Sequence, residues 1–216
     1  MSKQVPTNPK IYHIIHVDRL SSIIEDGRLY SDALMMQRGE PSGTTIGMTR
    51  IKERRLTSPL SSYDNLKVGE CVPFYFCPRS VMLYVISCRN NPDLSYCEGQ
   101  QDIIHLELNL DDVLNWAKVN NKKCAFTTSN AGSCYFDDFN DFSELDEINW
   151  DAVQARDWQN VKQEKQAEFL LESELDWTLI DKIGVYNSTI YTKVSTILDR
   201  ATSHKPKLEV IPSWYY

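Results

Sequence analysis

Apolar residues recur along this chain with two spacings, one typical of strands and one typical of helices. Short runs rich in β-branched and aromatic residues predict strands, over 11–15, 74–76, 82–87, 103–108 and 182–186. Apolar residues that share one helical face predict helices, over 18–27, 110–119, 143–148, 150–158 and 188–201. A short basic helical turn over 50–56 and an edge strand at 208–211 are also predicted. Both strands and helices are therefore predicted.

The order of these elements predicts the fold class. Strands come in runs without regular helical crossovers, and no glycine-rich phosphate loop follows any of them. Asp18 is expected to cap the first helix and Gly27 to end it, while Asn109 or Asp111 caps the helix over 110–119. Residues 31–47 are predicted to form a loop, and 127–142 is the least regular stretch. We expect an α+β fold with a largely antiparallel sheet.

Length and composition favour a single domain over residues 1–216. The chain has 216 residues, 42% of them hydrophobic, which is enough for one large core. It has no run of about eighteen apolar residues and no signal-peptide pattern, so we expect a cytoplasmic protein with no membrane partner. Its six cysteines include no C-x-x-C pair. We therefore expect reduced thiols and no structural zinc site.

The net charge of −7 is unevenly distributed. Residues 1–90 carry a net charge of +4, residues 91–174 carry −12, and residues 175–216 carry +1. The basic N-terminal part could hold the phosphates of a nucleotide or a nucleic acid, whereas the acidic middle would repel them. Charge alone favours the simpler explanation, that the acidic segment is a solvated face, so it does not decide the function.

Three clusters, at 12–16, 72–84 and 165–171, carry the candidate chemistry. Glu168 stands at the edge of an apolar run, where a carboxylate must be paired or held for function. His13 and His16 face opposite sides of one strand, so at most one reaches a shared site, where its ring N–H could donate to a ribose hydroxyl. Arg54 and Arg55 offer forked donors for a pyrophosphate or a carboxylate. The alternatives are a core histidine and a solvated helix face.

Together these clusters resemble the DarT family of DNA ADP-ribosyltransferase toxins. The resemblance rests on YHIIHVD with a Leu-x-x-Ile helix after it, then IKERR, VPFYFCPRSVMLY and KQAEFL, and it spans roughly residues 8–200. The VPFYFCPRSVMLY and KQAEFL runs are highly specific as an ordered pair. The YHIIH run and the paired arginines would be weak signals alone.

The resemblance implies an ADP-ribosyltransferase fold, with a split, mostly antiparallel β-sheet core, surrounding helices and NAD bound in a cleft. It implies a metal-independent toxin that transfers ADP-ribose from NAD to thymidine bases in single-stranded DNA, with a DarG-like macrodomain antitoxin as partner. By motif, Glu168 matches the catalytic glutamate and His13 the NAD-contacting histidine. Arg54 matches the catalytic arginine. Arg55 remains an alternative, because two adjacent arginines leave the alignment with the family motif uncertain by one residue. Residues 127–163 match the loop that shapes the target-base site.

Elementary chemistry agrees with these roles. A carboxylate such as Glu168 stabilises an oxocarbenium-like ribose and could also remove the thymine ring proton as a general base. Arg54 would hold the thymine carbonyl or the pyrophosphate of NAD. Tyr75 and Tyr84 are candidates for stacking on nicotinamide, with core packing as the alternative. Single-stranded DNA that stacks on aromatic rings needs few neutralised phosphates, which fits an acidic chain.

Other functions stay open at this point. A non-catalytic member of the fold would bind nucleotide or DNA, although Glu168, Arg54 and His13 together argue against it. An ADP-ribosyltransferase of this kind could instead modify protein or RNA. A metal-dependent nuclease is disfavoured, because the chain has no paired Asp/Glu motif at ligand spacing.

Overall fold

The computed structural model describes residues 4–39, 43–200 and 204–216. The strands in these residues are β1 Lys10–His16, β2 Arg28–Tyr30, β3 Cys71–Tyr75, β4 Ile103–Asn109, β5 Cys124–Thr127, β6 Asp138–Phe139, β7 Glu168–Glu172, β8 Glu174–Asp176, β9 Lys182–Val185 and β10 Lys207–Val210. The α-helices are α1 Leu20–Asp26, α2 Asp32–Gln37, α3 Thr49–Arg55, α4 Val81–Cys88, α5 Leu110–Val119, α6 Trp150–Gln154 and α7 Ser188–Asp199. Short 3-10 helices include Val17–Arg19, Phe142–Glu147 and Glu164–Gln166.

Eight strands form the main sheet, in the order β10-β9-β4-β1-β3-β7-β5-β6, and β2 pairs with β8 in a small second sheet. The β9–β10 pair is parallel, and the other pairings between the described strands are antiparallel. The predicted strand at 208–211 is the edge strand β10. The prediction of an α+β fold with a largely antiparallel sheet is confirmed.

The main sheet is split between β1 and β3. These strands share one register pair, Tyr12 opposite Tyr75. In contrast, β1 pairs with β4 along its whole length, and β3 does the same with β7. Because the two halves of the sheet join at one point, there is room for a cleft between β1 and β3.

Helices α5 and α7 each bury one apolar stripe in the main core. The buried positions follow the three- and four-residue spacing of a helix face and are Leu110, Val113 and Ala117 in α5 and Ile190, Val194 and Leu198 in α7. Asn109 caps α5, as predicted, by accepting a hydrogen bond from the backbone N–H of Asp111 at 2.8 Å. No helix in the described parts of the chain is long and apolar enough to cross a membrane.

The segment 82–87 forms helix α4, so the prediction of a strand there is wrong. Its residues are apolar at almost every position, and such a run fits a buried strand and a buried helix equally well. The deciding signal is Ser80, whose side chain accepts a hydrogen bond from the backbone N–H of Leu83 at 3.2 Å. This cap starts helix α4 at Val81.

Other helix predictions hold in part. The predicted loop at 31–47 contains α2, which Ser31 caps, and its residues 40–42 lie outside the described residues. The first helix begins with a 3-10 turn, so Asp18 does not cap α1, whereas Gly27 ends α1 with φ 64° as expected. Helix α6 is shorter than the predicted 150–158. Helix α7 ends at Asp199, and Ala201 lies outside the described residues.

Candidate active site

A cavity of about 200 Å³ lies at the split between β1 and β3. β1 contributes His13 and Ile15 to its lining, and β3 contributes Pro73 and Tyr75. Residues from α1, α2 and α3 and the segment 46–48 line its other sides. The divided sheet therefore forms an enclosed site bordered by two of the three sequence clusters.

Glu168, the first residue of β7, lies beside this cavity and opposite Tyr75 at the end of β3. Its side chain is 4% exposed. Arg55 donates to both carboxylate oxygens, from Nη1 to Oε1 at 3.2 Å and from Nη2 to Oε2 at 2.9 Å, and the backbone N–H of Ala131 donates to Oε1 at 3.1 Å. Burial alone would lower the pKa of Arg55, but the adjacent Glu168 carboxylate raises that pKa above its ordinary value. The two-point pairing fixes the orientation of the carboxylate.

The KQAEFL motif fixes the register of β7 before the strand begins. Lys165 is buried, and its Nζ donates to the carbonyl oxygens of Val153 at 2.6 Å and Ala155 at 2.9 Å, at the C-terminal end of α6. The backbone N–H of Glu168 donates to Oγ1 of Thr127 at 3.1 Å. A buried ammonium that donates to carbonyls at a helix end is well stabilised. Lys165 thus serves to place Glu168 at the end of the cleft.

Arg54 and Arg55 lie on different faces of helix α3. Arg55 is buried beside Glu168 and lines the cavity. Arg54 is exposed, with its Nη1 3.9 Å from Sγ of Cys134. Successive residues on an α-helix point about 100° apart, so only one member of a doublet can face a given site. The motif favoured Arg54, but the structure brings Arg55 to Glu168.

His13 lines the cavity with its ring N–H already in use. Nδ1 lies 2.7 Å from the carbonyl oxygen of Pro73 and must carry the proton, because a carbonyl only accepts. Burial lowers the pKa of His13 to about 4, so the ring is neutral at pH 7 and Nε2 is an acceptor. The expected donation to a ribose hydroxyl is thus reversed, since Nε2 can accept from a hydroxyl or an amide. His16 lies away from this cavity, beside Asp18 and Tyr96.

Of the two candidate tyrosines, only Tyr75 lines the cavity. Burial and the nearby Glu168 carboxylate raise the pKa of Tyr75, so its phenol stays protonated at neutral pH. Tyr84 lies on α4, is 42% exposed, and packs edge-on against Trp158 and Tyr216. Of these two tyrosines, Tyr75 is therefore the one available to a ligand in the cleft.

Sequence reasoning missed a polar wall of the cavity formed by Arg19, Asp32 and Lys52. Nζ of Lys52 donates to Oδ1 of Asp32 at 2.7 Å. Lys52 belongs to the IKERR run, and Arg19 directly follows YHIIHVD, so extending the motifs by their neighbours would have found both. Asp32 lies in the segment predicted as a loop, where no sequence signal marks it.

The irregular segment after β5 contacts Glu168 at one end and reaches solvent at the other. Nδ2 of Asn130 donates to Oε1 of Gln166 at 3.0 Å, and Ala131 binds Glu168 as described. Tyr135 is 93% exposed, while the next residue, Phe136, packs against a buried apolar cluster. The segment is therefore anchored on both sides of an aromatic ring that faces solvent.

Comparison with known proteins finds a family and solved structures that are similar to this chain. Residues 12–216 match the family described as "ssDNA thymidine ADP-ribosyltransferase, DarT". A DNA ADP-ribosyl transferase of Thermus aquaticus is 34% identical over 212 residues, which cover 98% of this chain and 90% of that protein. The structure of Thermus sp. 2.9 DarT in complex with ADP-ribosylated ssDNA matches with a TM-score of 0.88 at 30% identity, over 100% of both chains. The same protein in complex with NAD+ matches with a TM-score of 0.83 at 28% identity, over 99% of this chain and 100% of that one.

Proposed function

The chain belongs to the DarT family of single-stranded DNA thymidine ADP-ribosyltransferases, and we propose that Glu168, Arg55, His13 and Tyr75 carry its reaction. It has the α+β ADP-ribosyltransferase fold and transfers ADP-ribose from its co-substrate NAD to thymidine bases in single-stranded DNA. The observation that carries the residue assignment is the buried two-point pairing of Arg55 with Glu168 beside the cavity.

Glu168 is the proposed general base. Among the described residues, Oε1 accepts from Ala131 and Arg55, whereas Oε2 accepts from Arg55 alone. A carboxylate oxygen has two acceptor positions, so Oε2 keeps one for the thymine ring N–H. Loss of that proton makes the ring nitrogen a nucleophile. The same carboxylate stabilises the positive charge that develops at the ribose carbon as nicotinamide leaves.

Arg55 replaces Arg54 as the proposed catalytic arginine. The guanidinium has five N–H donors, and Glu168 takes two of them. The remaining donors are available to a thymine carbonyl or to NAD, and the pairing keeps Glu168 from rotating out of the site. This division of roles leaves Arg54 on the outer face of α3, near Cys134.

His13 and Tyr75 are the proposed NAD contacts, one from each strand that borders the split. The neutral His13 accepts through Nε2 from a ribose hydroxyl or the nicotinamide amide, because Nδ1–H is held by Pro73. The Tyr75 ring offers a face on which nicotinamide can stack, next to Glu168. Both contacts support positioning of NAD against the carboxylate.

The wider biological role is also a proposal. We place the activity in one domain over residues 1–216, acting in the cytoplasm, where NAD and single-stranded DNA meet. Modification of thymidine would harm the cell that makes the enzyme, which supports a toxin role and a DarG-like macrodomain antitoxin as partner. Co-expression with such a macrodomain, and pull-down with the Glu168→Ala variant, tests the partnership.

The test of the reaction is incubation with NAD and short oligonucleotides with and without thymidine, followed by intact-mass analysis. We expect a gain of one ADP-ribose on thymidine-containing single strands only, and no gain with Glu168→Ala. If only protein or RNA gained mass, the acceptor would be a different one. If Glu168→Ala kept full activity, the residue assignment would be wrong.

A further inference from the structure

Among the described residues, four basic side chains line the cavity, and they are not equivalent. Three are engaged by carboxylates of this chain: Arg55 by Glu168, Lys52 by Asp32, and Arg28 by Asp176. The fourth is Arg19. Within the described residues its guanidinium has neither a hydrogen-bond partner nor a carboxylate at ion-pair distance. Arg19 is therefore the cation of the cavity whose donors are all available to a ligand.

Arg19 is also partly buried, and a partly buried cation without a partner indicates a place for an anionic ligand. Burial lowers the pKa of Arg19, and the more distant charges of Asp32 and Asp18 offset this only in part. A cation removed from water without a partner carries a desolvation cost that a bound anion would relieve. In an NAD site, the anion is the diphosphate, for which the guanidinium fork is well suited.

The neighbouring residues hold Arg19 in place. Asp18 accepts three hydrogen bonds from Thr44, two from the backbone N–H at 3.1 Å and one from Oγ1 at 2.7 Å. This brings Gly43 against the arginine, because a Cβ at Gly43 would lie 2.8 Å from Cγ of Arg19 and 2.8 Å from Oδ1 of Asp18. Gly43 has φ +101°, a conformation that favours glycine. The segment continues into Ile46, Gly47 and Met48, which line the cavity.

We propose that Arg19 binds the diphosphate of NAD, and that the Asp18–Thr44 contact positions it. This inference rests on the cavity being the NAD site. The other cations are less suited to the task, since Lys52, Arg28 and Arg55 would have to give up or share a carboxylate. Arg19 then fixes the middle of NAD while Glu168 and His13 act at the nicotinamide end.

The experiment compares ligands with and without a diphosphate. Dissociation constants are measured by calorimetry for NAD and ADP-ribose, and by competition for nicotinamide riboside, on the wild type and on Arg19→Ala and Arg19→Lys. Arg200→Ala is the matched control, because Arg200 is an exposed arginine at the end of α7 that does not line the cavity. Thr44→Val tests the positioning contact by removing only the hydroxyl donor to Asp18.

We expect Arg19→Ala to weaken NAD and ADP-ribose about 10- to 100-fold, with nicotinamide riboside changed less than about twofold. Arg19→Lys should recover part of the loss, and Arg200→Ala should match the wild type. Thr44→Val should weaken the same two ligands about three- to fivefold. If Arg19→Ala weakened all three ligands equally, or weakened none of them, the proposal would be overturned. The assignment of the cavity as the NAD site would still stand. A wild type that binds none of them would overturn the NAD site itself.

Discussion

The two sides of Glu168 are built in different ways. On the cavity side, strands and helices enclose the site, His13 is fixed to Pro73, and Lys52 is paired with Asp32. On the other side, a single turn through Ala131 reaches Glu168, and the chain beyond it presents the exposed Tyr135. One side is preorganised by regular structure, and the other is an anchored but open segment.

We propose that this difference corresponds to the two substrates. The cavity side holds polar groups that are fixed by protein partners, which suits a small-molecule co-substrate such as NAD. Single-stranded DNA is bound through stacking and scattered charges, which an open face with Tyr135 and Arg54 would provide. Changes on the cavity side should therefore affect NAD binding or the chemical step. Changes on the open side should affect the KM for DNA.

The largest expected effect is at the junction of the two sides. Glu168→Gln keeps the shape of the side chain but removes the base, so transfer should fall at least about 1,000-fold while the Kd for NAD changes less than about threefold. Glu172→Gln is the control, since Glu172 lies on the same strand and accepts only from the backbone N–H of Lys123 among the described residues. Single-turnover transfer and calorimetry measure both. A Glu168→Gln enzyme within tenfold of the wild type would remove Glu168 from the chemistry.

The next largest effect is expected at the arginine doublet, because Arg55 lines the cavity and Arg54 lies on the open side near Cys134. Arg55→Lys keeps a charge but loses the two-point pairing, so kcat should fall about 100-fold. Arg55→Ala would also leave Glu168 buried without its partner, at about 3–5 kcal/mol of stability, so lysine is the better variant. Arg54→Lys should leave kcat within about twofold. If Arg54→Lys were the slower enzyme, the assignment of Arg55 would fail.

The fold could be predicted from sequence where one signal was unambiguous. The stripe of Leu110, Val113 and Ala117 with its Asn109 cap fixes α5, whereas the continuous apolar run after Ser80 fits two structures and was assigned to the wrong one. The site followed the same rule. Glu168 and His13 stood out by motif, and the motif favoured Arg54 while leaving Arg55, the residue that pairs with Glu168, open.

What the sequence could not show depends on long-range contacts. Which arginine faces Glu168 depends on how helix α3 is rotated about its axis relative to β7. Arg55 and Glu168 are 113 residues apart in the chain. The tautomer of His13 depends on the carbonyl of Pro73, 60 residues away. The role of Arg19 depends on which other cations already have partners. None of these relations leaves a pattern within one segment.

The open side predicts a smaller effect at Tyr135. Tyr135→Ala removes a ring available for base stacking, so the KM for single-stranded DNA should rise about tenfold, with kcat and the Kd for NAD changed less than about twofold. Tyr191→Ala is the control, since Tyr191 is a 39% exposed tyrosine on α7. Steady-state transfer at saturating NAD measures this. An unchanged KM would show that DNA does not stack on this segment.

The smallest expected effect is on the cavity side and concerns the protonation state of His13. Because burial lowers the pKa of His13 to about 4, the ring stays neutral from pH 8 down to about pH 5.5, and NAD affinity should change less than about twofold over that range. If the pKa of His13 had the ordinary value near 6.5, about a tenth of the rings would be neutral at pH 5.5, and binding through Nε2 as an acceptor would weaken about tenfold. Calorimetric titration of NAD at several pH values distinguishes these outcomes, and His13→Gln, which retains an acceptor, is the control without a titrating ring. A tenfold loss in the wild type that is absent from His13→Gln would mean that the imidazole is not held neutral by the cavity.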